Sequence, residues 1–313
     1  MTAVAPRGMA WVPGGSFLMG SAGFYPEERP VRRVDVDGFW MDECPVTVAE
    51  YGRFVASTNY VTVAERPLDP AEYPEAEPAL LEPGSLVFCQ PGGPVDLRDP
   101  AGWWRYLPGT QWRHPRGPGS TARGLGRHPV THVAAEDAEA YAAWAGKELP
   151  SEAEWEFAAR GGLDGAVFAW GDEFEPDGSA MANTWRGEFP WQNRAPGGRA
   201  GTSPAGSYPP NGYGLSDMTG NVWEWTSDYF TRQPAQQADR GCCAPRNPRV
   251  TSAEASLVTG EPGAHIPRRV IKGGSHLCAP NYCLRYRPAA RQGEAVDTST
   301  AHLGFRCIVR PAS

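Results

Sequence analysis

The sequence predicts a single α+β domain with little regular secondary structure. Its 37 glycines and 32 prolines make up about a fifth of the 313 residues, roughly twice the usual share, and they follow no period. Twelve tryptophans and a hydrophobic content of 41% supply the large apolar side chains that disordered chains lack. No shift in composition marks an interdomain linker. We therefore expect one domain over residues 1–313, with its core at about 9–309.

Three segments carry the signals of helices. Thr47 precedes an apolar face and is followed three residues later by a glutamate, the arrangement of a capping box. The same pattern recurs at Ser151, in a helix that would end at Gly161. The remaining helix is the alanine-rich segment at about 135–146.

The N-terminal part of the chain alternates apolar and polar residues, which is typical of strands. Residues 9–20 are predicted to form a short hairpin that turns at Gly14-Gly15, and residues 31–42 a half-buried strand. Residues 62–127 are rich in proline and glycine and are expected to be mostly loop.

Charge and hydropathy exclude several classes of function. The net charge of −7 gives no field that would attract a polyphosphate, so a nucleic-acid partner is not expected. The sequence contains no run of 18 or more apolar residues, so we expect no membrane-spanning helix. The first 15 residues lack the apolar segment of a secretory signal, so the expected compartment is the cytoplasm.

An odd number of cysteines in a chain without a secretory signal favours reduced thiols over a disulfide framework. The cysteines are Cys44, Cys89, Cys242, Cys243, Cys278, Cys283 and Cys307. Residues 303–307 are expected to form the last core strand, with Phe305 and Cys307 buried and Arg306 exposed or ion-paired. No role follows from the sequence for the cysteines at 44, 89, 242 and 243.

Cys278 and Cys283 are the strongest candidates for chemistry. They lie five residues apart, and Pro280 and Asn281 between them favour a turn that would bring the two thiols face to face. Two thiolates without a neighbouring histidine or carboxylate suit a soft ion, above all Cu(I), whereas zinc would require four ligands. The spacing is equally compatible with two buried structural thiols or a short disulfide.

A second candidate lies at residues 211–225, where Asp217 and Glu224 sit in a stretch broken by glycines. Carboxylate and backbone oxygens that turn inward are the ligands Ca²⁺ requires, although the spacing is not that of an EF-hand. A tight turn followed by a tryptophan-rich strand explains the same residues without a metal.

Taken together, several motifs resemble those of the sulfatase-modifying-factor family, in the same order and over about residues 9–309. The resemblance implies a single domain of a C-type-lectin-like fold. The motifs are Met19-Gly20, Trp144-Ala145-Gly146-Lys147, Pro150-Ser151-Glu152-Ala153-Glu154-Trp155-Glu156, Gly220-Asn221-Val222-Trp223-Glu224-Trp225, Gly273-Gly274-Ser275 and Gly304-Phe305-Arg306.

The context of the two cysteines, Gly-Gly-Ser-x-x-Cys-x-x-x-Tyr-Cys-x-Arg-Tyr-Arg, resembles the formylglycine-generating enzymes of that family. The resemblance implies an oxidoreductase that converts the cysteine of a Cys-x-Pro-x-Arg motif in type I sulfatases to Cα-formylglycine. Such an enzyme uses O₂, a thiol reductant and Cu(I), and acts on an unfolded or nascent sulfatase. Cys278 and Cys283 would be the copper ligands, Ser275 an active-site polar residue, and Tyr282 and Trp223 the lining of the oxygen and substrate pocket.

The resemblance also implies structural calcium. Its ligands at one site would be Asp217, Gly220, Val222 and Glu224, the last three partly through backbone oxygens. A second site would include Asn183, Thr184 and Arg199, but Gly197 stands where the family usually has an aspartate, and Asn193 is a possible replacement.

Two further departures concern cysteine and histidine positions. The structural disulfides of secreted relatives involve positions that here are Ala142, Ala159 and Pro288, which leaves Cys307 unpaired and agrees with a reducing compartment. Ala279 stands where many relatives have histidine. Because the fold alone does not give activity, a non-catalytic lectin-like binding module and a disulfide-exchange enzyme remain alternatives.

Overall fold

The computed structural model of the chain describes residues 6–74, 76–195, 201–232, 244–258 and 264–311. Its α-helices over these residues are α1 (Val48–Thr58), α2 (Ala135–Trp144) and α3 (Glu152–Arg160). The strands are β1 (Met9–Val12), β2 (Gly15–Met19), β3 (Arg32–Val36), β4 (Phe39–Asp42), β5 (Gly84–Phe88), β6 (Trp104–Pro108), β7 (Trp223–Tyr229), β8 (Arg268–Lys272), β9 (Arg291–Ala295), β10 (Leu303–Gly304) and β11 (Ile308–Val309). Long irregular connections join them. This confirms the predicted α+β fold with little regular secondary structure.

The three predicted helices are present, and two begin at the predicted caps. The Glu50 N–H donates to Thr47 Oγ1 at 3.3 Å, and the Thr47 N–H donates to the Glu50 carboxylate at 2.9 Å. Ser151 and Glu154 make the same reciprocal pair at 3.1 and 2.7 Å. Gly161 ends α3 in the left-handed conformation, with φ of 57°.

The hairpin predicted over residues 9–20 is wrong. β1 and β2 do not pair with each other: β1 lies antiparallel to β4 and β2 antiparallel to β3, in one continuous register. Residues 9–19 thus form one interrupted strand against residues 32–42. Gly14 marks the interruption, because a Cβ there would lie 2.6 Å from the Gly38 nitrogen. The two glycines of this segment allow a close backbone approach and do not reverse the chain.

The single strand predicted for residues 31–42 is likewise divided into β3 and β4 by Asp37 and Gly38. The loop-rich stretch 62–127 contains an antiparallel pair that the sequence pattern did not reveal, β5 with β6. The stretch also contributes buried side chains to the core, the largest of which are Trp103 and Trp112.

A four-stranded sheet in the order β10-β7-β8-β9 supports the site described below. One apolar cluster packs α1 and α2 against this sheet and includes Tyr51, Trp225 and Phe305. A second packs α3 against the N-terminal strands and includes Phe17 and Trp155. The segment that carries the site follows β8, so it leaves a sheet that helices pack against in the core.

The C-terminal segment departs from the predicted single strand. β10 and β11 are two short strands on either side of residues 305–307. Phe305 and Cys307 are fully buried, as expected. Arg306 is also fully buried and forms an ion pair with Glu224, Nε to Oε2, at 2.8 Å.

Other buried ion pairs join α3 to the sheet. The Glu152 carboxylate accepts from Arg291 Nε at 2.6 Å, and the Glu156 carboxylate from Lys272 Nζ at 3.0 Å. Burial opposes the ionisation of Glu156, but Lys272 and Arg160 outweigh it and lower the pKa of Glu156 to about 2. Within the described ranges, no helix has the length and apolarity needed to cross a membrane.

Candidate active site

The cysteine pair lies on the irregular segment that leaves the end of β8. Gly274 has φ of 68°, and a Cβ there would lie 2.7 Å from the Arg285 backbone, so the segment folds back on itself where a side chain would not fit. The Cys283 N–H donates to the Ala279 carbonyl at 2.7 Å, which closes a turn. This is the turn predicted from Pro280 and Asn281.

The turn brings Cys278 and Cys283 together. Their sulfur atoms lie 3.0 Å apart, and both side chains are buried. A disulfide requires an S–S distance near 2.05 Å, so these are two free thiols in hydrogen-bond contact. The Ser275 N–H donates to the Cys278 sulfur at 3.4 Å. The alternative of a short disulfide is therefore not the state of this structure.

The surroundings of the two thiols separate their acidities. A hydrogen bond from Cys278 is the main cause that lowers the pKa of Cys283 to about 7, and the Arg285 guanidinium lowers it further, against the effect of burial. Burial raises the pKa of Cys278 well above its ordinary value. The pair therefore loses its first proton around neutral pH, and the resulting negative charge lies on Cys283.

The other predicted active-site residues lie around this pair. Ser275 is fully buried, and its hydroxyl oxygen accepts from the Leu277 N–H at 3.2 Å. Trp223, at the start of β7, packs in the apolar cluster that contains both cysteines. Tyr282 is 40% exposed, the most accessible residue of the set. The structure thus places Ser275 and Tyr282 next to the cysteine pair, and it places Trp223 in the same large apolar cluster.

An aromatic wall, defined by Trp103, Phe189 and Tyr282, stands beside the cysteines. Tyr282 stacks on Phe189 with ring centroids 4.5 Å apart, and Trp103 meets Tyr282 edge-on at 5.4 Å. Trp103 and Phe189 come from distant parts of the chain, and sequence reasoning did not assign them to the site. Aromatic side chains were visible at these positions, but no spacing linked them to residue 282.

Residues 24–28, which we name the strap, were also missed. Phe24 and Tyr25 pack on the guanidinium groups of Arg287 and Arg285, at 3.6 and 3.9 Å from ring centroid to guanidinium carbon. Glu28 forms a buried ion pair with Arg287, Nη1 to Oε2, at 3.0 Å. The acidic and aromatic composition of the strap was the available signal, but its partners lie about 260 residues further along the chain.

The first predicted calcium site has one free carboxylate oxygen. Asp217 Oδ2 accepts from the Gly206 N–H at 2.7 Å, while Asp217 Oδ1 is buried and has no hydrogen-bond partner. A cavity of about 20 Å³, enough for one ion or water, is lined in part by Asp217 and Thr219. Glu224 differs, because Arg306 and the Trp155 indole N–H occupy its carboxylate.

The described residues of the second predicted calcium site, Asn183 and Thr184, lie next to the glycine segment of the first. The Asn221 N–H donates to the Asn183 carbonyl at 2.8 Å, and a Cβ on Gly220 would lie 2.7 Å from that carbonyl oxygen. Val222 is buried beside them, and the Thr184 hydroxyl is buried without a partner. Gly197 and Arg199 lie outside the described residues.

The other cysteines that the structure describes are not paired with a second thiol. Cys44, Cys89 and Cys307 are free thiols, and burial raises the pKa of Cys44 and of Cys307. Cys242 and Cys243 lie outside the described residues. Within the part of the chain that the structure describes, no group of three histidine, cysteine, aspartate or glutamate side chains is placed to hold a metal ion.

Residues 2–311 match the family model described as "Sulfatase-modifying factor enzyme 1-like domain". The chain belongs to this family. Among its relatives is the formylglycine-generating enzyme of Mycobacterium tuberculosis, 51% identical over 96% of this chain and 97% of that protein. The formylglycine-generating enzyme of Thermomonospora curvata is 42% identical over 97% of this chain and 94% of that protein. The predicted resemblance is thus confirmed.

Membership of the family does not by itself decide activity. The "Inactive C-alpha-formylglycine-generating enzyme 2" of Mus musculus is 37% identical over 96% of this chain and 84% of that protein. Among solved structures, PvdO from Pseudomonas aeruginosa superposes with a TM-score of 0.62 at 24% identity, over 96% of this chain and 93% of that one. At such identity the likeness concerns the fold alone.

Proposed function

We propose that this protein is a formylglycine-generating enzyme. It would oxidise the cysteine of a Cys-x-Pro-x-Arg motif in a type I sulfatase to Cα-formylglycine. The observation that carries the proposal is the Cys278–Cys283 pair, two free thiols 3.0 Å apart beside an arginine. The formylglycine-generating enzymes that are 51% and 42% identical over nearly their full length support the same activity.

The donor set fits Cu(I). Among the described residues no third histidine, cysteine or carboxylate joins the two sulfur ligands, and two ligands are too few for zinc but suit a soft monovalent ion of low coordination number. Two thiolates and one Cu(I) carry a net negative charge, which the neighbouring Arg285 offsets. Cys278 and Cys283, whose sulfur atoms lie 3.0 Å apart, would be the two ligands.

Copper, when bound, supplies the redox chemistry with O₂ that thiols alone cannot perform. The overall change converts –CH₂SH to –CHO and releases sulfide, a loss of two electrons by the substrate. O₂ takes up four electrons on reduction to water, so the other two come from the oxidation of two reductant thiols to a disulfide. The proposal therefore requires O₂ and a thiol reductant as co-substrates.

The protein's own residues bind and orient the substrate. Cys278 and Cys283 would hold the metal ion, and the Ser275 N–H donates to the Cys278 sulfur and helps to orient it. The aromatic wall is partly exposed at Tyr282, and it offers the substrate an apolar surface and excludes water from the thiols. Because both thiols are buried, the substrate cysteine must reach inward from an extended segment, which favours an unfolded or nascent sulfatase.

We further propose structural calcium near Asp217 and a cytoplasmic location. The buried, unpartnered oxygen of Asp217 and the cavity beside it support a bound cation. Its other ligands would be backbone oxygens, since the Glu224 carboxylate is engaged by Arg306.

The proposed cytoplasmic location is supported by the cysteines. Every cysteine in the described ranges is a free thiol, as expected in a reducing compartment.

The decisive experiment incubates the protein with Cu(I), dithiothreitol and air, and measures by mass spectrometry the conversion of a Cys-x-Pro-x-Arg peptide. Aldehyde that forms in air, and not under argon or without copper, supports the proposal. A serine in place of the peptide cysteine is the matched control. Thiol exchange that proceeds under argon would favour a disulfide-exchange enzyme. Peptide binding without any chemistry would favour a non-catalytic binding module.

A further inference from the structure

The backbone that follows Cys283 is held by the strap, residues 24–28. The Leu284 N–H donates to the Tyr25 hydroxyl oxygen at 3.0 Å. The Leu284 carbonyl accepts from Arg287 Nε at 2.6 Å, and Arg287 is itself paired with Glu28. The strap therefore holds both backbone hydrogen-bonding groups of Leu284: the N–H directly through Tyr25, and the carbonyl through the Arg287–Glu28 ion pair.

The strap also fixes the side chain of Arg285. The guanidinium lies over the Tyr25 ring at 3.9 Å and donates from Nη2 to Glu27 Oε1 at 2.7 Å. These contacts hold the guanidinium on both its face and its edge, although it is partly exposed to solvent. Arg285 also interacts with the Cys283 thiol, so the strap determines where that positive charge lies.

The strap has a defined conformation of its own. Residues Pro26–Glu28 form a single 3₁₀ turn, in which the Glu28 N–H donates to the Tyr25 carbonyl at 3.1 Å. The Glu28 carbonyl accepts from the Ser21 N–H at 3.2 Å, and Arg291 Nη1 donates to the Glu27 carbonyl at 3.2 Å. The strap is thus anchored to the domain at several points and can act as a rigid support.

We propose that Tyr25 and Glu27 are positioning residues for the proposed oxidation. They hold Leu284 and Arg285 so that the Cys283 sulfur stays in contact with the Cys278 sulfur. Cys283 has two backbone supports. The Ala279 turn restrains it from the N-terminal side, and the Tyr25 hydroxyl restrains it from the C-terminal side. Neither residue is one of the predicted metal ligands, and the catalytic consequence of their loss rests on the proposed function.

The test compares Tyr25→Phe with Tyr106→Phe. Each variant removes one hydrogen bond between a tyrosine hydroxyl and the backbone, since the Tyr106 hydroxyl donates to the Glu82 carbonyl at 2.6 Å, in the β5–β6 region. We expect Tyr25→Phe to lower kcat about tenfold and to leave KM for the peptide within about twofold, because misplacement of a reacting group affects the chemical step more than binding. Tyr106→Phe is expected to keep both constants.

A second measurement does not depend on activity. In the metal-free protein, the Leu284 amide should exchange its hydrogen about tenfold faster in Tyr25→Phe and at the wild-type rate in Tyr106→Phe. The two variants should unfold at equal thermal midpoints.

A third variant tests Glu27 by activity. Glu27→Gln should lower kcat by about threefold to fivefold, because it keeps a hydrogen-bonding group but removes the charge that holds Arg285.

Two results would overturn the inference. One is a Tyr25→Phe protein with wild-type kcat and wild-type exchange at Leu284. The other is an equal loss of kcat in Tyr106→Phe, which would indicate a general effect on stability. If the wild-type protein forms no aldehyde, the proposed function fails. Exchange at Leu284 then still decides whether the strap restrains the backbone next to Cys283.

Discussion

Cys283 and Cys307 each have an arginine close by in sequence, yet the two arginines act differently. Arg285, two residues after Cys283, is shared between Glu27, the Tyr25 ring and the thiol. Arg306, directly before Cys307, is turned away to the Glu224 carboxylate. The pKa of Cys283 is accordingly lowered to about 7, whereas burial, with Asp42 nearby, raises the pKa of Cys307.

The difference shows what makes a buried thiol reactive. Both cysteines are buried in the same apolar cluster, so burial does not distinguish them. What distinguishes them is the second thiol at 3.0 Å and the direction of one guanidinium. Cys307 is a small core side chain, and its N–H donates to Asp42 Oδ2 at 2.9 Å.

The largest expected effect separates the two regions by activity. Cys278→Ser or Cys283→Ser should lower aldehyde formation by ~10³-fold or more, because one sulfur ligand cannot hold Cu(I) in the same way. Peptide conversion measured by mass spectrometry, together with Cu(I) stoichiometry from competition with a chromophoric chelator, checks this. Turnover by either serine variant at a rate near wild type would contradict the proposed role of the pair.

The next effect concerns stability at the Cys307 region. Arg306→Met should lower the free energy of unfolding by about 3–5 kcal/mol, because it leaves the Glu224 carboxylate buried with the Trp155 indole as its remaining side-chain donor. Urea unfolding followed by tryptophan fluorescence measures it. The double variant Arg306→Met/Glu224→Gln should regain part of the loss. A double variant less stable than either single variant would contradict this account.

A smaller effect tests the charge beside Cys283. A thiolate forms above the thiol pKa, so alkylation of Cys283 in the metal-free protein should rise with pH through about 7. In Arg285→Met the pKa should move up toward its ordinary value, which shifts this midpoint to higher pH and slows alkylation at pH 7 by about threefold to tenfold. Iodoacetamide labelling mapped by mass spectrometry provides the profile.

Arg285→Lys is the matched control for that profile. It retains the positive charge, so it should keep most of the shift in the Cys283 pKa while losing the planar contact with Tyr25. Identical profiles in the wild type and Arg285→Met would show that the hydrogen bond from Cys278 alone lowers the pKa.

The smallest effect is expected at Cys307 itself. Cys307→Ala removes one buried sulfur atom and should lower the free energy of unfolding by about 1–2 kcal/mol, with kcat per folded molecule unchanged. Chemical denaturation and the peptide assay measure the two quantities. A loss of kcat comparable to that of the serine variants would mean that Cys307 takes part in the chemistry.

Local patterns in the sequence were sufficient for several features. The caps at Thr47 and Ser151, the glycine end of α3 and the turn between Cys278 and Cys283 depend on contacts within a few residues, which a sequence displays directly. The predicted hairpin at residues 9–20 failed because Gly14 and Gly15 are typical of turns. Here Gly14 instead allows two backbones to approach, and that depends on a partner about 25 residues away.

The sequence by itself determined the fold class, the family and the two cysteines, because these follow from composition and from ordered motifs. Only the tertiary structure decided which arginine faces a thiol. Arg285 and Arg306 each lie within two residues of a cysteine along the chain, and the choice depends on Glu27 and Glu224, which lie 258 and 82 residues away. The physical reason is that charges act through space, and folding sets the distances between them.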